Sequence, residues 1–131
     1  MGNLVDDQFC PFCNVSNERE IIAESVSAFA IYDKYPVSPG HALVIPNQHI
    51  GDYFELSVVE QIDCWELVNK VKGIISGRFN PDGYNIGINV GHSAGQTVPH
   101  VHIHIIPRYK GDLERPEGGV RGVIPGKRIY K

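Results

Sequence analysis

Three histidines alternate with aliphatic residues in the run His100-Val101-His102-Ile103-His104-Ile105-Ile106. In a β-strand, side chains at i, i+2 and i+4 share a face. The spacing therefore predicts three imidazoles on one face, about 7 Å apart, with Val101, Ile103 and Ile105 anchored in a core on the other. An imidazole with a pKa of about 6.5 is largely neutral at pH 7 yet gains a proton readily. In its neutral form it can attack phosphorus or carbon. Protonated, it can compensate phosphate charge or give a proton to a leaving group. A His-x-His pair can equally supply two ligands to a metal ion, so spacing alone leaves both chemistries open. Gly95-Gln96-Thr97 precedes the row with small residues, backbone N–H groups and a hydroxyl. Such a turn can form an anion-binding concavity, which would set a phosphate beside the histidines.

A second constellation is Cys10-Pro11-Phe12-Cys13. The C-x-x-C spacing suits zinc, a redox pair or two buried thiols. A tetrahedral zinc site needs two further ligands. The third cysteine, Cys64, falls inside a helical pattern beside Trp65 and is expected in the core.

These groups must be held by the rest of the chain. Residues 20–24 and 26–32 read as short strands. Residues 35–40 read as a Pro/Gly loop, and 41–45 as an apolar strand ended by Pro46. From Ser57 to Phe79 the pattern becomes helical, with Val58, Ile62, Trp65, Val68, Val71 and Ile75 as the apolar face. Ser57 and Glu60 form a capping-box pattern, and Asn80-Pro81-Asp82-Gly83 stops the helix. Residues 83–90 and 100–107 alternate as two further strands. The pattern predicts a single α+β domain, an antiparallel sheet with one long helix packed on it.

The 131-residue chain has a net charge of −3, which argues against a nucleic-acid binder. No apolar run approaches the roughly 20 residues of a membrane span. No charged-then-apolar leader opens the chain, so a cytoplasmic location is expected. Charge is uneven: residues 1–107 carry 5 Lys/Arg and 12 Asp/Glu, whereas 108–131 carry 7 and 3. The basic tail reads as an extended arm. Arg108, Lys110 or Arg121 could supply a field for an anionic substrate.

The histidine run resembles the signature of the histidine triad (HIT) superfamily. Gly40 to Pro46, Asn89 to Val98 and Gly118 to Pro125 are similar to further family segments, in the same order. The resemblance implies a homodimeric α+β meander whose five-stranded antiparallel sheet carries one helix. It also implies hydrolysis or transfer at the α-phosphate of a nucleotide. His102 would be the nucleophile and form a nucleotidyl-histidine. His104 would contact the phosphate and help neutralise its charge. His100 would support His102, and His41 would lie behind His102 and orient it. Gly95, Gln96 and Thr97 would hold phosphate oxygens, Asn89 would face the scissile region, and Asp33 would accept from the ribose hydroxyls. For family members that bind zinc, the resemblance implies Cys10, Cys13, His49 and His100 as structural ligands. No metal is required for the chemistry. The tail and the Gln96-Thr97-Val98-Pro99 run resemble the diadenosine polyphosphate hydrolase branch. A purine nucleoside phosphoramidase, or a zinc-containing nucleotide-binding module with little turnover, is the alternative.

Overall fold

The computed structural model describes residues 9–15 and 18–130. Five strands, β1 (Ile21–Glu24), β2 (Ala28–Tyr32), β3 (Ala42–Pro46), β4 (Gly83–Ile88) and β5 (Ile103–Arg108), form one antiparallel sheet in the order β1-β2-β3-β5-β4. One helix, α1 (Val58–Phe79), crosses its back. Ser57 caps α1 by accepting from the Glu60 N–H, and Glu60 returns the bond to Ser57. Both contacts satisfy helix-end donors that the fold would otherwise leave bare. Asn80 ends the helix in the left-handed region at φ 52°, where asparagine is tolerated. Asp63, on α1, ties the helix to the β1–β2 turn. Its carboxylate accepts from both hydroxyls of Ser25 and Ser27 and from the Ser27 N–H.

The sheet separates two environments. Its back carries Ala28, Ala30, Ala42, Val44, Ile103 and Ile105, which bury Cys64, Leu67, Val68, Val71 and Ile75 of α1. Small alanines on β2 and β3 let the helix approach closely. The front carries Ile31, Leu43 and Ile45, with Phe12, Val15 and Phe29 against them. Leu43 pairs with His104, so the last histidine faces front, away from the helix.

The buried face of α1 includes Val68, Val71 and Ile75 as its periodicity predicts, but differs from the prediction in the first half of the helix. Val58 and Ile62 are exposed, and Trp65 is partly so. The first half of α1 carries two apolar rows, and periodicity cannot tell which one meets the sheet. Cys64 is fully buried, and burial pushes its thiol up to about 11. Among the described residues, no helix is long and apolar enough to cross a membrane.

Candidate active site and metal cluster

Strand β5 begins at Ile103, so His100 and His102 stand before the ladder rather than in it. The cause lies in β3. Asn47 donates its N–H to Ser27, towards β2, so the backbone of Pro46 faces β5. Proline has no N–H to continue that ladder. Val101 instead donates to the Ile50 carbonyl at 2.8 Å, and the Pro46 carbonyl takes the ring N–H of His100 at 2.8 Å. The three imidazoles therefore do not stand in an even row. His102 and His104 keep their rings 5.0 Å apart, while His100 is fully buried against a different group of residues.

Backbone contacts give His102 and His104 opposite proton positions. His102 Nδ1 lies 2.9 Å from the carbonyl of His100. A carbonyl only accepts, so neutral His102 carries its proton on Nδ1 and a lone pair on Nε2. At the other end, the Val37 N–H donates to His41 Nδ1 at 3.0 Å. His41 must then carry its proton on Nε2, which lies 3.0 Å from His104 Nδ1 and 3.4 Å from Asp33. His104 Nδ1 accepts, and neutral His104 keeps its proton on Nε2. One imidazole is left as a base or nucleophile, and its neighbour as an N–H donor. The support expected from His100 comes through its carbonyl. His41 bonds His104, not His102 as the resemblance implies, because the β3–β5 register sets Leu43 beside His104 and so brings neighbouring His41 to that ring.

Burial, His102 and His41 together hold His104 down at about 4, partly opposed by Asp33. Burial also lowers His41, again against Asp33. Both rings are thus neutral at pH 7, and His104 meets an anion as an N–H dipole rather than as a cation. Between the ordinary value of 6.5 and about 4, the unfolded chain binds a proton that the folded chain refuses. Stability is therefore lost as pH is lowered through that window. The melting temperature of the wild type is expected to drop more from about pH 7 to about pH 4.5 than that of His104→Asn. Parallel curves in differential scanning fluorimetry would contradict this.

Cys10, Cys13, His49 and His100 converge elsewhere, with one ligand atom of each within 4.8 Å of the others. The contacts are 3.4 Å for Cys10–His100, 3.1 Å for Cys13–His49, 3.5 Å for Cys13–His100 and 3.2 Å for His49–His100. The edges of a tetrahedron of nitrogen and sulfur around zinc run about 3.3–3.8 Å. Because His100 Nε2 is spent on Pro46, its Nδ1 presents a lone pair to the cluster. Asp33, His41 and His104 are also close enough to hold an ion, but their ring geometry differs. The His41 and His104 centroids are 5.3 Å apart with nitrogens at 3.0 Å, a difference of 2.3 Å. That is the full depth of two rings, so the N–H points straight at its acceptor. His49 and His100 have centroids at 5.1 Å and nitrogens at 3.2 Å, a difference of only 1.9 Å. Their nitrogens converge on a point off the line between them, as two ligands of one ion do. The donor set therefore fits zinc in the Cys/His cluster and a proton in the other.

The loop before β5 departs from expectation. Gln96 accepts from the Gly91 N–H and donates to the carbonyls of Gly51 and Val98. The Gly95 N–H is committed to the His92 carbonyl. Both groups shape the loop here instead of presenting themselves to phosphate. A glycine suits position 95 because φ is 94°. Thr97 is exposed and Asn89 half-buried near the end of β4. Asp33 faces His41 and accepts from the Tyr35 N–H.

The basic tail is folded, not extended. Arg121 and Arg128 donate to carbonyls of Lys127, Arg128, Arg115 and Glu117. Arg108 grips Asp112 and Asn85 and holds the Asp112 carboxyl down at about 2. Arginines that serve the tail's own carbonyls are not poised as a phosphate field. Sequence reasoning missed Phe12, Val37 and Pro46. Val37 acts through its backbone N–H, for which residue type gives no signal, whereas Pro46 acts through the N–H that proline lacks.

A HIT domain model matches residues 14–111. The chain belongs to the HIT family. It is 40% identical over 97 residues to a bis(5'-adenosyl)-triphosphatase of Dictyostelium discoideum, covering 74% of this chain and 65% of that protein. It is 48% identical over 106 residues to an asymmetrical bis(5'-nucleosyl)-tetraphosphatase of Schizosaccharomyces pombe, covering 72% and 58%. The chain thus spans less than two thirds of either relative. A zinc-bound histidine triad family protein from Mycobacterium smegmatis superimposes with a TM-score of 0.68 at 33% identity, covering 82% of this chain and 80% of that one. The five-stranded antiparallel sheet with one main helix is the fold that HIT membership implies.

Proposed function

We propose that this HIT protein hydrolyses or transfers at the α-phosphate of a nucleotide through a nucleotidyl-histidine on His102. The observation that carries the reading is the opposed proton placement on His102 and His104. The His102 Nε2 lone pair attacks phosphorus, forming an N–P bond while the bond to the leaving oxygen breaks. The His104 Nε2–H stabilises charge on the phosphoryl oxygens. Water then cleaves the N–P bond and releases a nucleoside monophosphate. Asn89 and Thr97 are the remaining polar groups for the scissile region. Gln96 and Gly95 would serve it by holding the loop, and Asp33 would meet the ribose from beside His41. A cleft of about 400 Å³ on the front of the sheet adjoins the Cys/His cluster, with Phe12, Val15, Ile21 and Phe29 on one side and Cys13, Glu24, Asn47 and His49 on the other.

Relatives named as dinucleoside polyphosphate hydrolases favour a diadenosine polyphosphate as substrate. Zinc held by Cys10, Cys13, His49 and His100 would supply structure, pinning the N-terminal arm. The reading includes a homodimer and places the protein in the cytoplasm. Side-by-side kinetics on a diadenosine polyphosphate and an adenosine phosphoramidate test the branch. A higher kcat/KM on the polyphosphate is expected. Preference for the phosphoramidate would reassign the branch, and tight binding with no turnover of either would make the protein a binding module.

A further inference from the structure

Phe12 lies between the two cluster cysteines in sequence and reaches the nucleophile in space. The Asn14 N–H closes a single turn on the Cys10 carbonyl at 3.2 Å, and the Asn14 side-chain amide bonds the same carbonyl. Within that turn, the Phe12 ring stands 5.0 Å from His102, tilted by 60°, and 5.9 Å from His100, edge-on at 88°. Ile31, Leu43 and Ile45 back it.

An imidazole turns about its second side-chain torsion in a broad, roughly two-fold well. A flip would exchange Nδ1 and ring carbon at the carbonyl and withdraw Nε2 from the substrate. His102 is confined by the His100 carbonyl at 2.9 Å, the His104 ring at 5.0 Å and the Phe12 ring. Two of these three restraints come from the metal cluster's own segments, since His100 is also a ligand and Phe12 sits between two more.

We propose that Phe12 is a positioning residue through which occupancy of the Cys10/Cys13/His49/His100 cluster sets the orientation of His102. The proposal rests on the zinc and nucleophile readings above. The ion locks the 10–13 turn, the turn holds the Phe12 ring, and the ring keeps His102 from flipping. The zinc site then acts on catalysis without touching substrate.

The test uses the zinc-loaded full chain, with zinc content measured for every variant. Phe12→Ala should keep its zinc, lose kcat on the order of ten-fold and hold KM within about three-fold. Nitrogen-15 NMR of the His102 ring should show two well-separated signals, one tautomer, in the wild type and averaged signals in Phe12→Ala. Phe12→Tyr should restore both readouts. Chelation of the wild type should reproduce the averaging, and chelation of Phe12→Ala should add clearly less than it does in the wild type. A raised KM with kcat retained would make Phe12 a substrate contact and overturn the proposal. So would an unaltered His102 spectrum in Phe12→Ala, or a full chelator effect in that variant. Wild-type protein purified without zinc would sink the proposal together with the zinc reading, while a surviving His102→Ala defect would leave the nucleophile standing.

Discussion

Replacing His102 by alanine is expected to lower turnover by at least about four orders of magnitude, the scale seen when a nucleophile is removed. Nucleotide affinity should change little, because the His102 ring supplies the attacking atom while charge on the phosphoryl oxygens is met by the His104 N–H. The cause is specific to the geometry. His102 alone combines a carbonyl-fixed Nδ1–H with burial on the front of the sheet, so its Nε2 lone pair is presented without a search over tautomers. His104 cannot replace it, because His41 occupies its Nδ1 and leaves a proton on the reactive side. Intact-protein mass spectrometry after a rapid denaturing quench should find a nucleotidyl adduct on the wild type and none on His102→Ala. An adduct that persists in the variant would move the nucleophile elsewhere. His104→Ala should cost less, on the order of a hundred-fold, since it removes a donor and not the attacking atom.

On the proposed zinc reading, removing the metal is expected to have the largest effect on stability. The four ligands draw together the N-terminal arm, the segment after β3 and the entry to β5, which lie far apart in sequence. Metal-binding free energy at such a site is folding free energy for the segments it joins. A chelator, or Cys10→Ser, should lower the melting temperature by about 10 °C or more. Added zinc should restore the chelated wild type but not the variant. Calorimetry with elemental analysis checks this. An unchanged melting temperature in protein shown to have lost its zinc would reduce the cluster to an ornament of the surface.

The elements follow physical rules that act locally. Ser57 and Glu60 start α1 by reciprocal hydrogen bonds within four residues, and Asn80-Pro81 ends it for reasons equally local. Strict alternation in 100–106 places His102 and His104 opposite Val101, Ile103 and Ile105 in any extended conformation, paired or not. Zinc-ligand spacing in Cys10–Cys13 is likewise a property of one turn. The bare pattern left both metal and phosphoryl chemistry open, and the family resemblance supplied the residue roles.

Other features depended on partners distant in sequence. Which apolar row of α1 is buried follows from the alanines of β2 and β3, so Val58 and Ile62 looked like core and are not. Where β5 begins is decided by the missing N–H of Pro46, more than fifty positions away. His41 serves His104 because the β3–β5 register brings them together. Gln96 closes its own loop, and Arg121 and Arg128 fold the tail, because carbonyls in reach claim their donors. By itself, the sequence determined the fold class, the elements and which residue types could react. Only the tertiary structure decided where each imidazole carries its proton and which histidine pair suits an ion. Proton placement depends on the atom within about 3 Å of a ring nitrogen, and here the chain of contacts starts at backbone atoms, the His100 carbonyl for His102 and the Val37 N–H for His41 and, through it, His104.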